Sequence, residues 1–246
     1  MFEAPVYTVE AALLAADYGI DRLELCADFG EGGTTPGAGL LAYIKSKISI
    51  PVFVMIRPRG GDFVYSEEEL EVMRREISIL KSHGADGFVF GVLEAGGKVN
   101  RKACSSLIET AGEFPCTFHR AFDASVQLEE SLETIIECGF KRILTSGGMN
   151  SVSEGLEVIR NLLVRSNGRI IIIPGGGTLP EHLQELAGTG NLREIHASCK
   201  AFRPSESTYT NPHLQLSEGG EASEKVLTVD KKQVELFKGE LRRLMR

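Results

Sequence analysis

The sequence predicts an α/β chain folded as a single-domain (β/α)8 TIM barrel, on three observations. Its 246 residues match the roughly 250 that such a barrel occupies. A glycine that ends a helical pattern and opens a short apolar strand recurs at Gly19 to Leu25, Gly84 to Phe90, Gly139 to Leu144 and Gly190 to His196. Two further strand patterns, Met55-Ile56-Arg57-Pro58-Arg59-Gly60-Gly61-Asp62-Phe63 and Thr117-Phe118-His119-Arg120-Ala121-Phe122, run into Arg, Asp or His at their C-terminal ends. A parallel barrel carries its functional residues at those strand ends. A doubly wound open sheet is the alternative architecture.

The elements follow in order. Four strands belong to the repeat, and four others lie between them: Phe2 to Ala4, Val52 to Arg57, Cys116 to His119 and Ile170 to Ile173. Pro51 and Pro115 mark two of the entries. Each repeat glycine sits where a helix ends in a left-handed residue. Thr8 to Tyr18, rich in Ala and Leu, predicts the first helix, and a weaker pattern runs near Gly39 to Lys47. Ser66-Glu67-Glu68-Glu69 combines an N-cap with an acidic first turn and starts a helix to about Ser82. Helical patterns continue near Arg101 to Ala111, Leu128 to Cys138, Val152 to Arg165, Glu181 to Gly188 and Asp230 to Arg246. The segment 203–225, rich in Ser, Glu, Gly and Pro, breaks the rhythm and predicts a flexible loop or lid before the last helix.

Composition narrows the function classes. A net charge of −7 argues against nucleic-acid binding, which needs a basic face. No apolar run approaches the roughly 18 residues of a membrane span, and the N-terminus lacks signal-peptide character. Five cysteines without framework spacing point to free thiols in a reducing compartment, hence a cytoplasmic protein.

Strand side chains alternate between faces. With Leu23, Leu25, Val52, Val54, Ile56, Phe118 and Ile195 facing the helices, the interior receives Glu24, Cys26, Phe53, Met55, Arg57, Thr117, His119, Glu194 and His196. Glu3 reaches the same mouth if Phe2 and Ala4 point out. Glu24, Arg57, His119 and His196 are therefore candidate catalytic residues, with Glu24 and Arg57, on adjacent strands, an expected ion pair. Pro174-Gly175-Gly176-Gly177-Thr178 and Ser146-Gly147-Gly148 follow the seventh and sixth strands, where bare amides can cradle an oxyanion. Ser146, Gly147, Gly175, Gly176 and Gly177 are candidate anion-binding residues. Arg59 and Asp62 either join them or brace their own loop. Thiolate and thioether ligands select Cu(I), and Cys26 and Cys199 lie on the functional side of the barrel as candidate metal ligands. Cys104, Cys116 and Cys138 read as structural.

Taken together, Arg22-Leu23-Glu24-Leu25-Cys26, Glu31-Gly32-Gly33-Thr34-Thr35-Pro36, Met55 to Tyr65, Thr117 to Asp123, Leu144-Thr145-Ser146-Gly147, Pro174 to Gly177 and His196-Ala197-Ser198 resemble the CutC family, named for copper homeostasis. The resemblance runs in order over about residues 1–200. It implies a cytoplasmic barrel, a homodimer, and association with Cu(I). Proposed ligands in the family include a cysteine on the first strand and the one ending the second. Cys26 holds the second position; Pro5 stands at the first, which makes Cys199 the candidate second thiol. Three functional readings follow. One is Cu(I) binding through cysteine near the mouth. Another is an enzyme acting on a small anionic or phosphorylated substrate, with Glu24 or His119 as acid/base, Arg57 and Arg59 holding the anion, and Gly175 to Gly177 its phosphate. The last is a non-catalytic binding scaffold.

Overall fold

A computed structural model describes residues 1–209, 211, 213 and 225–244. The eight expected strands are β1 (Phe2–Val6), β2 (Arg22–Leu25), β3 (Val52–Met55), β4 (Gly87–Phe90), β5 (Cys116–Phe118), β6 (Arg142–Thr145), β7 (Ile171–Pro174) and β8 (Ile195–His196). Hydrogen bonding runs in the order β7-β6-β5-β4-β3-β2-β1-β8. The barrel therefore nearly closes, with the short β8 bridging back to β1. The helices are α1 (Val9–Asp17), α2 (Ala38–Lys45), α3 (Glu67–Ser82), α4 (Arg101–Ala111), α5 (Leu128–Cys138), α6 (Val152–Ser166), α7 (His182–Ala187) and α8 (Lys231–Leu244).

The repeat has a physical basis. Gly19, Gly84, Gly139 and Gly190 adopt φ of 83°, 94°, 96° and 73°, the left-handed exit that glycine makes without steric cost. Two residues later, Asp21 accepts a hydrogen bond from the Phe2 amide, and Asp86 accepts from the Val52 amide and Lys45. These aspartates satisfy the first amides of neighbouring strands. Ser66 caps α3 as expected, and Glu69 completes a reciprocal capping box with it.

Side-chain parity holds. Phe2, Ala4, Leu23, Leu25, Val52, Val54, Ile56, Phe118 and Ile195 join the helices in the outer core. Cys26, Phe53, Met55 and Val89 form a separate inner cluster. Deeper in the barrel the interior is ionic. Arg22 donates to Glu3 and Glu194 and stacks over the Phe53 ring at 4.5 Å, while Arg142 also donates to Glu194.

The loop after β6 lies directly against α6. A Cβ on Gly155 would sit 1.9 Å from the Ser146 carbonyl oxygen, so a methyl group requires backbone displacement. Gly155→Ala is expected to cost about 3 kcal/mol, read as a lowered urea midpoint at unchanged slope.

Two further strands flank the segment 203–225. β9 (Lys200–Pro204) and β10 (Lys225–Val229) pair as an antiparallel ribbon at the two ends of that segment. Arg203 pairs with Glu10, and Thr8 donates to the Leu227 carbonyl, fixing the ribbon to α1. Within the expected lid, residues 210, 212 and 214–224 lie outside the described residues. Among the described residues no helix is long and apolar enough to cross a membrane.

Candidate functional site

A cavity of about 490 Å³ opens at the C-terminal ends of the strands. Glu24 from β2, His196 from β8, Arg57 beyond β3 and His119 beyond β5 all line it. Each is almost fully buried. Three of their atoms, Glu24 Oε1, Arg57 Nε and His119 Nε2, have no hydrogen-bond partner among the described residues. Buried polar atoms are normally paired, so three orphans around one cavity mark a place for a polar ligand.

A chain of contacts orders the acid–base groups. His196 Nδ1 lies 2.8 Å from Glu3 Oε1, which fixes the proton on Nδ1 and turns Nε2 toward Glu24 Oε2, 4.0 Å away. The Cys26 thiol donates weakly to the same carboxylate oxygen at 3.7 Å. Burial raises the Glu24 pKa to about 7, against the pull of His196. Glu3 behaves in the opposite way. Burial opposes its charge, but His196 and Arg22 hold its pKa down to about 2. Burial works against a charge on His196, yet its hydrogen bond to Glu3 and the charge of Glu24 raise its pKa. Near neutral pH Glu24 can therefore either give or take a proton.

His119 is the neutral partner. Its burial and the nearby Arg57 charge lower its pKa to about 3. Nδ1 accepts from the Ala121 amide at 3.2 Å, so in the neutral ring Nε2 carries the hydrogen and offers it to the cavity. Phe63 supports both neighbours, its ring centroid 4.9 Å from that of His119 and 5.0 Å from the Arg57 guanidinium carbon.

Several expectations need correction. Glu24 and Arg57 form no ion pair. The Arg57 guanidinium instead donates to the carbonyls of Glu31, Gly33 and Gly61 at 2.5, 3.1 and 2.8 Å, because it lies past the strand end and reaches the loops after β2 and β3. Arg59 and Asp62 pair with each other, and Arg59 with Glu69; they brace their loop and do not line the cavity. Nor do the amides of Ser146 and Gly147 face a ligand. Ser146 and Gly148 donate to the Asp123 carboxylate, and Gly147 to the Thr145 hydroxyl. Gly175 donates to the Thr145 carbonyl, whereas Gly176 and Gly177 do line the cavity.

The two candidate metal ligands belong to different apolar clusters, and Cys199 also lines the cavity. Cys26 belongs to the inner cluster with Met55, and Cys199 to the outer core. Cys199 adopts φ of 41°, a left-handed turn that separates it from the strand alternation of β8. Burial raises both thiol pKa values, with that of Cys199 reaching about 12. Among the described residues, Glu3, Glu24 and His196 are the group whose oxygen and nitrogen atoms approach closely enough to share an ion.

Arg120, Asp123 and Phe63 also shape the mouth, and Arg22 and Arg142 the layer beneath it. Arg22 was within reach of sequence reasoning, since the parity that turns Glu24 inward does the same for it.

Comparison with known proteins gives a consistent result. A model of the CutC family matches residues 1–201. The Homo sapiens copper homeostasis protein cutC homolog is 43% identical over 229 residues, 93% of this chain and 84% of that protein. A CutC family protein of Xylella fastidiosa (strain 9a5c) is 42% identical over 199 residues, 81% of this chain and 74% of that one. The solved structure of a copper homeostasis protein CutC from Streptococcus agalactiae aligns with a TM-score of 0.73 at 31% identity, covering 80% of this chain and 97% of that chain. An aldolase at 17% identity and a TM-score of 0.61, covering 80% and 89% of the two chains, shares the fold.

Proposed function

The chain belongs to the CutC family, and from that premise we propose a role in copper homeostasis exercised through an acid–base catalytic site for a small anionic substrate. One observation carries the catalytic reading: Glu24 Oε1, His119 Nε2 and Arg57 Nε are buried without partners around a single cavity. Glu24 transfers the proton, since its pKa of about 7 suits both directions of transfer. His119 Nε2–H stabilises negative charge developing on a substrate oxygen. Arg57 Nε supplies a charged donor to the substrate beside His119. A cytoplasmic homodimer is the setting that the family resemblance implies.

Small carboxylates and phosphate monoesters, incubated with the protein in D2O and followed by proton NMR, test this reading. Catalysed deuterium incorporation at a carbon-bound position, absent in Glu24→Gln, is the expected result. Exchange that persists unchanged in the variant would remove Glu24 from the role.

A second reading has its own support. Cys26 Sγ and the Met55 side chain approach the same point beside Gly33, where a Cβ would lie 3.3 Å from the sulfur and 3.5 Å from Met55 Cε. A thiol and a thioether are soft donors that suit Cu(I). Cys26 and Met55 would hold the ion. An anaerobic Cu(I) competition titration should then give tight one-to-one binding that Cys26→Ser abolishes and Cys199→Ser leaves intact. Binding indifferent to Cys26 would end this reading.

A further inference from the structure

Two glycine-rich loops border the mouth, and only one of them has amides to spare. In the loop after β6, Ser146, Gly147 and Gly148 spend their N–H groups on Asp123 and Thr145. A carboxylate of the chain itself thus fills that anion nest. In the loop after β7, Gly175 donates to the Thr145 carbonyl and Leu179 to His182 Nδ1. The three amides between them, Gly176, Gly177 and Thr178, have no acceptor among the described residues, and all three residues line the cavity.

Arg120 stands beside them. Its Nε donates to Asp123 and its Nη2 to Ser146 and the Met149 carbonyl, which leaves Nη1 unengaged among the described residues. A Cβ on Gly176 would lie 3.1 Å from that Nη1 and 3.0 Å from Arg120 Cζ. Glycine is needed here on two counts, the approach of the guanidinium and φ of 96°. Asp123 fixes the guanidinium in place before any ligand arrives.

We infer that the substrate is a phosphate monoester, its phosphoryl oxygens held by the Gly176, Gly177 and Thr178 amides and Arg120 Nη1, its remainder extending to Glu24 and His119. The inference builds on the acid–base reading and adds the substrate class. Three amides and a guanidinium edge match the three terminal oxygens of a phosphoryl group better than the two of a carboxylate. The buried, unpartnered His119 Nε2 in the same cavity supplies the polar contact for the other end.

Titration of the 15N-labelled full chain with inorganic phosphate tests the site, with sodium chloride at matched ionic strength as control. The Gly176, Gly177 and Thr178 amide signals should shift and saturate. Arg120→Met should weaken binding about tenfold or more. Unmoved amides, equal shifts in chloride, or unchanged affinity in a folded Arg120→Met variant would overturn the inference. If Arg120→Met folds poorly through loss of its Asp123 contact, the wild-type titration still decides. Loss of proton transfer in every assay alongside an intact phosphate response would defeat the acid–base reading alone.

Discussion

Replacing Arg22 with methionine is expected to destabilise the protein by about 3–5 kcal/mol, the scale of breaking a buried ion pair from one side. Arg22 is 1% exposed and bridges two carboxylates, donating to Glu3 at 2.5 Å and to Glu194. Methionine keeps much of the volume over Phe53 but leaves both carboxylates short of a donor. His196 still holds Glu3, and Arg142 still holds Glu194, which keeps the loss from growing larger. The pH dependence carries a signature. Glu3 is depressed from 4.5 to about 2, so it contributes stability above pH 4.5 that is lost as pH falls toward 2. Arg22 is one cause of that depression, so the gap between wild type and variant should narrow as acid is added. Urea unfolding across this range measures it; a loss below about 1 kcal/mol at pH 7 would mean that the ionic layer is not structural.

Glu24→Gln is expected to cost function and improve stability. Losing a positioned general acid–base lowers turnover by about 10²–10⁴-fold. The stability change has the opposite sign. Because the folded pKa is raised from 4.5 to about 7, the folded state binds more protons than the unfolded state across that window. Wild-type stability therefore falls as pH rises from 4.5 to 7 and stays reduced above it. The displacement corresponds to about 3 kcal/mol. Glutamine carries no charge to bury, so the variant should be more stable by up to about that amount at pH 9 and close to wild type at pH 4. A variant no more stable at either pH would show that Glu24 ionises without strain.

Strand alternation made much of the site legible. Leu23 and Leu25 were apolar enough to assign the outer face, and Glu24 and Cys26 then had to face inward. The same logic placed His119 and His196, and the structure brings both to the cavity with Glu24. Alternation stops where strands stop. Arg57 lies beyond β3, and three backbone carbonyls from two loops claim its guanidinium; no spacing in the sequence reveals carbonyl positions. Ser146 and Gly147 resemble an anion cradle until Asp123 is seen to fill it from a different loop. Cys199 follows a left-handed turn of its own, outside any face assignment. The β9–β10 ribbon was obscured because its two strands flank a polar segment that dominates the composition of 203–225.

The most direct test of the central claim is a 13C NMR titration of the glutamate carboxyl groups, with the Glu24 signal assigned by its absence in Glu24→Gln. Titration of that carboxyl near pH 7 is the predicted result. A midpoint between about 4 and 5, the range of an ordinary glutamate, would contradict the assignment of Glu24 as the proton-transferring group of the barrel mouth.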